Sequence, residues 1–204
     1  LYIGKATSLK DRVRSYFFFF LSQARSSAIA AMVQEATSIS CETSYSVLEA
    51  LILEANLIKK HVPLYNSASK DNKSFNYLVI TKETFPRIVV VRGRELFTDW
   101  KEGNIRHVFA PYPQGGSLRD AMKLVRKIFP YRDQKCIPCE EQRSKGSGQC
   151  APCFNRQIGL CPGTCTGEIT SIEYAVIIRH ITLLFSGKKR ALLQDLERRM
   201  QKAS

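Results

Sequence analysis

Between residues 47 and 60 the apolar side chains Leu48, Leu51, Ile52, Ala55 and Ile58 recur at intervals of three and four. That spacing predicts an amphipathic helix, which Pro63 then ends. The same pattern predicts a helix over residues 118–129, stopped by Pro130, and two closing helices over 171–185 and 188–202, joined at Ser186-Gly187. Near the start, residues 2–4 read as the end of a strand. A helix follows through Tyr16, with Ser8 placed to cap it, and residues 28–36 form another with few polar positions. Alternation and hydroxyl content predict a strand at 40–46, the runs 77–81 and 87–92 read as two strands of a small sheet, and residues 108–113 read as extended. Residues 136–167 are rich in Gly, Pro and Ser and read as loop. The expected class is α+β. A composition shift near 63–70 separates a small α/β unit, residues 1–66, from a strand-and-helix linking module, residues 67–132. A cysteine-rich region over 133–170 and a helical segment over 171–204 complete the expected organisation.

Composition adds a partner class. Lys and Arg number 31 against 18 Asp and Glu in 204 residues, a net charge of +13. A surplus of that size suits a polyanion, because each neutralised phosphate releases condensed counterions; a basic surface kept for solubility would explain the charge equally well. The longest apolar run, residues 16–21, is far too short to span a bilayer, and no secretory leader is expected, so no membrane partner is expected either. Six of the seven cysteines fall between Cys136 and Cys165. That clustering reads as a metal site in a reducing, cytoplasmic compartment rather than as a disulfide framework.

Several residues have the chemistry that phosphodiester hydrolysis needs: a base for water, a cation for the phosphoryl charge and a donor near the leaving oxygen. Glu54 is a carboxylate on the amphipathic helix, and one carboxylate with waters and phosphate oxygens is how Mg²⁺ is usually held. Glu49 lies about 140° away around the same helix, so the two cannot share one ion. Arg12 offers a planar fork for phosphate, and Tyr2 offers a hydroxyl beside Gly4. Taken singly, each of these is ordinary; their order is not. Tyr2-Ile-Gly-Lys5, then Arg12-x-x-Ser-Tyr-Phe, Glu54 within Leu53-Glu-Ala-Asn-Leu-Ile58, and Pro63-Leu-Tyr-Asn66 together resemble the GIY-YIG nucleases, specifically those of the UvrC family of excision-repair nuclease subunits. The strand that carries Gly-Ile-Tyr does not precede residue 1, so the resemblance is to a unit lacking its first strand.

The resemblance implies Tyr2 near the attacking water, Lys5 and Arg12 on phosphate, Glu54 as ligand for Mg²⁺ or Mn²⁺, and Asn66 as an organiser of the site. Lys10 and Arg14, with Lys70 and Lys73 of the lysine-and-aromatic stretch 70–77, are the candidate DNA-contacting cations. The tract 17–20 departs from the family, which turns polar there.

The cysteines admit two metal readings. Cys136-x-x-Cys139 and Cys150-x-x-Cys153 form two hooks of the kind that hold Zn²⁺. The stretch from Cys153 through Cys161-Pro-Gly-Thr-Cys165 resembles instead the UvrC-family pattern whose thiolates hold a [4Fe–4S] cluster, with Cys136 as the fourth ligand. Soft thiolates suit both metals. Cys41 reads as a buried strand residue, and His61, His107 and His180 lack ligand spacing.

The family resemblance implies metal-dependent incision of DNA on the 3′ side of a lesion. Its expected partners are damaged DNA, UvrB through a domain outside this chain, and UvrA indirectly. A non-catalytic, metal-stabilised DNA-binding module is the alternative.

Overall fold

A computed structural model of the chain describes residues 1–18, 27–66, 75–112, 115–144, 146 and 150–203. It is a mixed α+β protein whose chain divides into two units, Leu1–Asn72 and Lys73–Ser204.

In the first unit α1 (Leu9–Phe18), α2 (Ser27–Glu35) and α3 (Val47–His61) are the regular elements among the described residues. The Ser8 hydroxyl accepts from the Asp11 N–H at 3.3 Å and caps α1. α3 buries Leu51, Ile52, Ala55 and Ile58, the stripe its periodicity predicts. Its start is fixed reciprocally: Ser46 Oγ accepts from the Glu49 N–H, and the Glu49 carboxylate accepts from the Tyr45 N–H at 2.9 Å. Its end is sharper than a proline stop alone. Val62 adopts the left-handed conformation, φ 43°, and donates its N–H to Ile58 O. That conformation is unfavourable for a β-branched residue, and it reverses the chain so that residues 63–66 run back towards residue 1.

Three expectations for this unit fail. Among the described residues, 2–4 pair with no strand; the carboxamide of Asn66 takes the backbone groups of Ile3 instead. Residues 40–44 are irregular rather than a strand. Residues 40–43 are all exposed, and alternation without a buried face leaves nothing for a ladder to hold. Cys41 is accordingly exposed, not buried.

The second unit is built on an antiparallel sheet of β1 (Asn76–Thr81), β2 (Ile88–Arg92) and β3 (Ile105–Tyr112), in the order β2-β1-β3. The segment expected only to be extended is therefore a full strand. Every residue of the central β1 is buried, as expected of a strand covered on both faces. Tyr77 and Val79 pack on one face with Phe75, Val91 and Leu96, the last from α4 (Gly93–Thr98). On the other face Leu78 lies opposite Phe109 of β3, and Phe109 meets Phe185 of α8 (Ser171–Phe185) at 5.8 Å. α5 (Gly115–Ile128) adds the buried Leu118, Met122 and Val125. Phe75 and Tyr77 of the stretch 70–77 are thus core residues. Lys70 and Lys73 lie outside the described residues.

α8 opens with a capping box between Thr170 and Glu173 and is tied to α9 (Lys189–Ala203) through the buried Asp195. That carboxylate meets His180 Nε2 at 2.7 Å and accepts from Arg179 at 2.8 Å. The hydrogen bond with His180, helped by Arg179 and Arg199 and opposed by burial, holds the Asp195 carboxyl below the usual range. Between α5 and α8 lie the cysteines, with only α6 (Cys139–Ser144) and α7 (Phe154–Gln157) as regular structure among the described residues. Among the described residues no helix is long and apolar enough to cross a membrane.

Candidate active site and metal centre

α3 presents Glu54 to the first residues of the chain. Its Oε1 accepts from the Lys5 backbone N–H and its Oε2 from the Lys5 ammonium, both at 3.0 Å. The Glu54 side chain is 12% exposed and the Lys5 side chain 18%, so this ion pair is better shielded than a surface pair and is held at two points. Both residues line a cleft of about 450 Å³ together with Tyr2, Gly4, Cys41 and Ser44.

Tyr2 reaches the cleft because Gly4 lacks a side chain: a Cβ there would sit 2.8 Å from the Tyr2 ring and hydroxyl. Arg12 donates from Nη2 to the Tyr2 oxygen at 2.9 Å, and its guanidinium lies 5.1 Å from the centre of the Tyr16 ring. Tyr16 in turn meets Tyr2 edge-on at 5.8 Å. Burial, then the hydroxyl contact with Tyr2, pushes the Tyr16 phenol up to about 12. Sequence reasoning missed Tyr16 as a member of the site; its place in the Ser-Tyr-Phe stretch was the only signal.

Asn66 acts on backbone rather than on the charged groups of the cleft. Its Oδ1 accepts from the Ile3 N–H at 2.9 Å, its Nδ2 donates to Ile3 O at 2.7 Å, and the neighbouring Tyr65 N–H donates to Leu1 O at 3.0 Å. A side chain thereby takes the role of a paired strand. Lys10 and Arg14 are exposed on α1. Glu49 sits in the α3 cap described above, not at the cleft. A single shielded carboxylate with room beside it fits a mostly hydrated Mg²⁺ or Mn²⁺, which needs only one or two protein ligands.

In the second unit the sulfurs of Cys136, Cys153 and Cys161 lie within 4.8 Å of one another. Cys165 is buried beside them, its sulfur accepting from the Cys153 N–H at 3.4 Å. The chain reaches this arrangement through Gly163, whose φ of +93° only glycine adopts without strain; its carbonyl accepts from the N–H groups of Thr166 and Glu168. The hydrogen bond with Cys136 holds the Cys161 thiol well below its usual range, against burial and with help from the Gly163 and Thr164 N–H groups. The same hydrogen bond pushes Cys136 up. A metal ion would compete with that hydrogen bond for both sulfurs.

Four clustered thiols fit a thiolate-held metal. The three sulfurs within 4.8 Å of one another approach the spacing around a single tetrahedral ion, where Zn–S bonds of about 2.3 Å put sulfurs about 3.8 Å apart. The buried hydroxyl of Thr164, 3.4 Å from Cys136 Sγ and 3.8 Å from Cys161 Sγ, is a member of this centre that sequence spacing does not reveal.

Cys139 and Cys150 are not part of it, because they form a disulfide with each other. This corrects their reading as alternative ligands and adds one disulfide to a segment expected to be a metal site rather than a disulfide framework. The paired zinc hooks cannot close while each has lost one sulfur.

Comparison with known proteins bears on both sites. Residues 1–67 match the family model of the UvrC-like GIY-YIG domain, and residues 75–183 that of the UvrC/Cho excinuclease middle domain. The UvrABC system protein C of Desulforudis audaxviator (strain MP104C) is 38% identical over 205 residues, which is 100% of this chain and 30% of the relative. The protein of the same name from Clostridium beijerinckii is 39% identical, again over 100% of the chain and 31% of the relative. That of Synechocystis sp. is 40% identical over 100% and 30%. The chain thus spans under a third of the length of these curated relatives. No solved structure matches it.

If the Asn66 carboxamide anchors the first residues, Asn66→Ala should cost about 1–3 kcal/mol, two hydrogen bonds' worth. It should also remove the hydrogen-exchange protection of the Ile3 amide while leaving Leu51 and Ile52 in α3 protected. Unchanged protection at Ile3 would contradict the assignment.

Proposed function

This chain belongs to the UvrC/Cho excinuclease family, and from that premise we propose that it is part of a nucleotide excision repair endonuclease subunit, in which residues 1–66 make the incision 3′ to a DNA lesion. The observation that carries this reading is the shielded Glu54 carboxylate, gripped by Lys5 at the wall of a cleft that Tyr2 also lines. Glu54 holds the divalent ion, Mg²⁺ or Mn²⁺, which when bound offsets charge on the phosphoryl oxygens. Lys5 exchanges part of its bond with Glu54 for a phosphate oxygen. Arg12 fixes the Tyr2 hydroxyl and keeps further N–H donors for phosphate, and Tyr2 orients or deprotonates the attacking water. Asn66 positions all of these by holding Ile3. Lys10 and Arg14, with Lys70 and Lys73, track the DNA backbone. Damaged DNA is the substrate, UvrB the direct partner through a region outside this chain, UvrA an indirect one, and the cytoplasm the compartment.

A second reading has one observation in its favour: among the described residues Ile3 has the Asn66 side chain, not a strand, as its backbone partner. In that reading the isolated chain binds DNA without cutting it.

For the sulfur centre the family resemblance supports a [4Fe–4S] cluster on Cys136, Cys153, Cys161 and Cys165. The closeness of three of those sulfurs supports zinc as the alternative.

Two outcomes test these assignments. In a chimera where this chain replaces the matching segment of the Desulforudis relative, Glu54→Ala should lower 3′ incision by about 100-fold or more with DNA binding retained. Glu49→Ala should cost only helix stability, and undiminished incision by the Glu54 variant would sink the assignment. Chain purified without oxygen should be brown and contain iron and sulfide, with Cys161→Ser bleaching it and Cys139→Ser not. A colourless protein holding one zinc would replace the cluster with the ion, and loss of metal on Cys139→Ser would overturn the ligand set.

A further inference from the structure

In the second unit the edge strand β2, helix α5 and the turn at 131–134 enclose a cleft of about 290 Å³ that no role above uses. Ile88 and Val90 give it an apolar floor, while Arg119, Lys123, Arg126 and Arg132 face one carboxylate, Asp133, around it. Arg126 is committed to the fold: it donates to the carbonyls of Tyr131 and Leu160 and pairs with Asp133.

Arg132 is different. It is 3% exposed, and although its Nη2 donates to Glu83, its Nε is a buried nitrogen with no hydrogen-bond partner among the described residues. Buried polar atoms are nearly always paired, so this guanidinium keeps an unspent N–H and its positive charge just behind the cleft wall. Arg119 is exposed and lies one turn before Lys123 on α5, so both cations share a face. Lys123 pairs with Asp120 at 2.8 Å in open solvent, an interaction weak enough to be exchanged.

We infer that this cleft is a subsite for one backbone phosphate of a nucleic-acid strand, with Arg119 and Lys123 as its charge contacts and the buried Arg132 as the group behind them. An oxyanion supplies what the cleft lacks: negative charge for two exposed cations on one face, with the buried guanidinium adding positive potential behind them. The apolar floor strips hydration from a free ion but accepts the sugar attached to a phosphodiester, which selects a strand over lone phosphate. The inference rests on the DNA-binding reading above and extends it to the second unit.

The test is the salt dependence of binding of a labelled single-stranded oligonucleotide to the whole chain, followed by fluorescence anisotropy. Each single-strand phosphate contact contributes about 0.7 to the slope of log affinity against log salt. Arg119→Ala should therefore lower the slope by about 0.7, and Arg119→Ala with Lys123→Ala by about 1.4. Arg198→Ala, which removes the same charge from an exposed position of α9, should leave it unchanged. All three variants change exposed residues, and unaltered melting temperatures confirm their folding. A salt slope that persists undiminished in the Arg119 and Lys123 variants overturns the subsite and leaves the DNA-binding reading standing. No salt-dependent binding by the unsubstituted chain overturns both. Inorganic phosphate that competes more strongly than chloride at equal ionic strength, and only when Arg119 is present, moves the site to a lone phosphate and overturns the strand assignment.

Discussion

The grip of Asn66 on the backbone of Ile3 is the constraint on which the first unit's cleft depends. Tyr2, Gly4 and Lys5 belong to a segment with no ladder of its own among the described residues, so its backbone groups need other partners. One carboxamide satisfies the N–H and the C=O of Ile3 together, and Tyr65 adds a third bond to Leu1. The path back to Ile3 begins on α3, the helix that carries Glu54, and turns at the left-handed Val62. Carboxylate and anchor are thus set by one short stretch of chain. Whatever shifts the end of α3 shifts Tyr2 and Lys5 relative to Glu54, and the backbone strain at Val62 is the local cost of that coupling.

The second unit solves a different problem. Its sheet and the helices α5 and α8 form an apolar core around β1, but the cysteine segment has little regular structure and few large apolar side chains to bury. What organises it is sulfur and hydroxyl chemistry: the clustered thiols, two of them against the Thr164 hydroxyl, the positive-φ turn at Gly163, and the Cys139–Cys150 disulfide. Tyr174 joins this region to the core. Its hydroxyl donates to Pro86 O and accepts from the Arg132 N–H, so both groups of the buried phenol are satisfied.

Much of this was legible in the chain itself. The helices α3, α5 and α8 follow their apolar stripes because each packs one face against a core, the condition under which periodicity predicts structure. Tyr2, Lys5, Arg12, Glu54 and Asn66 could be singled out because their order resembles a family motif, although the order did not reveal that Lys5 pairs with Glu54 or that Asn66 acts through Ile3. Where the reading failed, local pattern and tertiary environment disagreed. Residues 40–44 alternate but have no buried face. Phe75 and Tyr77 belong to a stretch read as a loop, yet both are buried at the start of β1. Cys139 and Cys150 have the spacing of ligand hooks, and only the folded loop brings their sulfurs to each other. The Thr164 hydroxyl and the orphan Nε of Arg132 carry no sequence signal, because both are defined by what surrounds them.

The central claim is that Glu54, presented by α3 and gripped by Lys5, is where a divalent ion binds. Paramagnetic broadening by Mn²⁺ in amide NMR spectra of the 204-residue chain tests it most directly. Substoichiometric Mn²⁺ should broaden the resonances of Gly4, Lys5, Glu54 and Ala55 first, and Glu54→Gln should abolish that broadening with the rest of the spectrum unchanged. Broadening that is absent from this cleft, or that survives intact in the Glu54→Gln protein, would contradict the account.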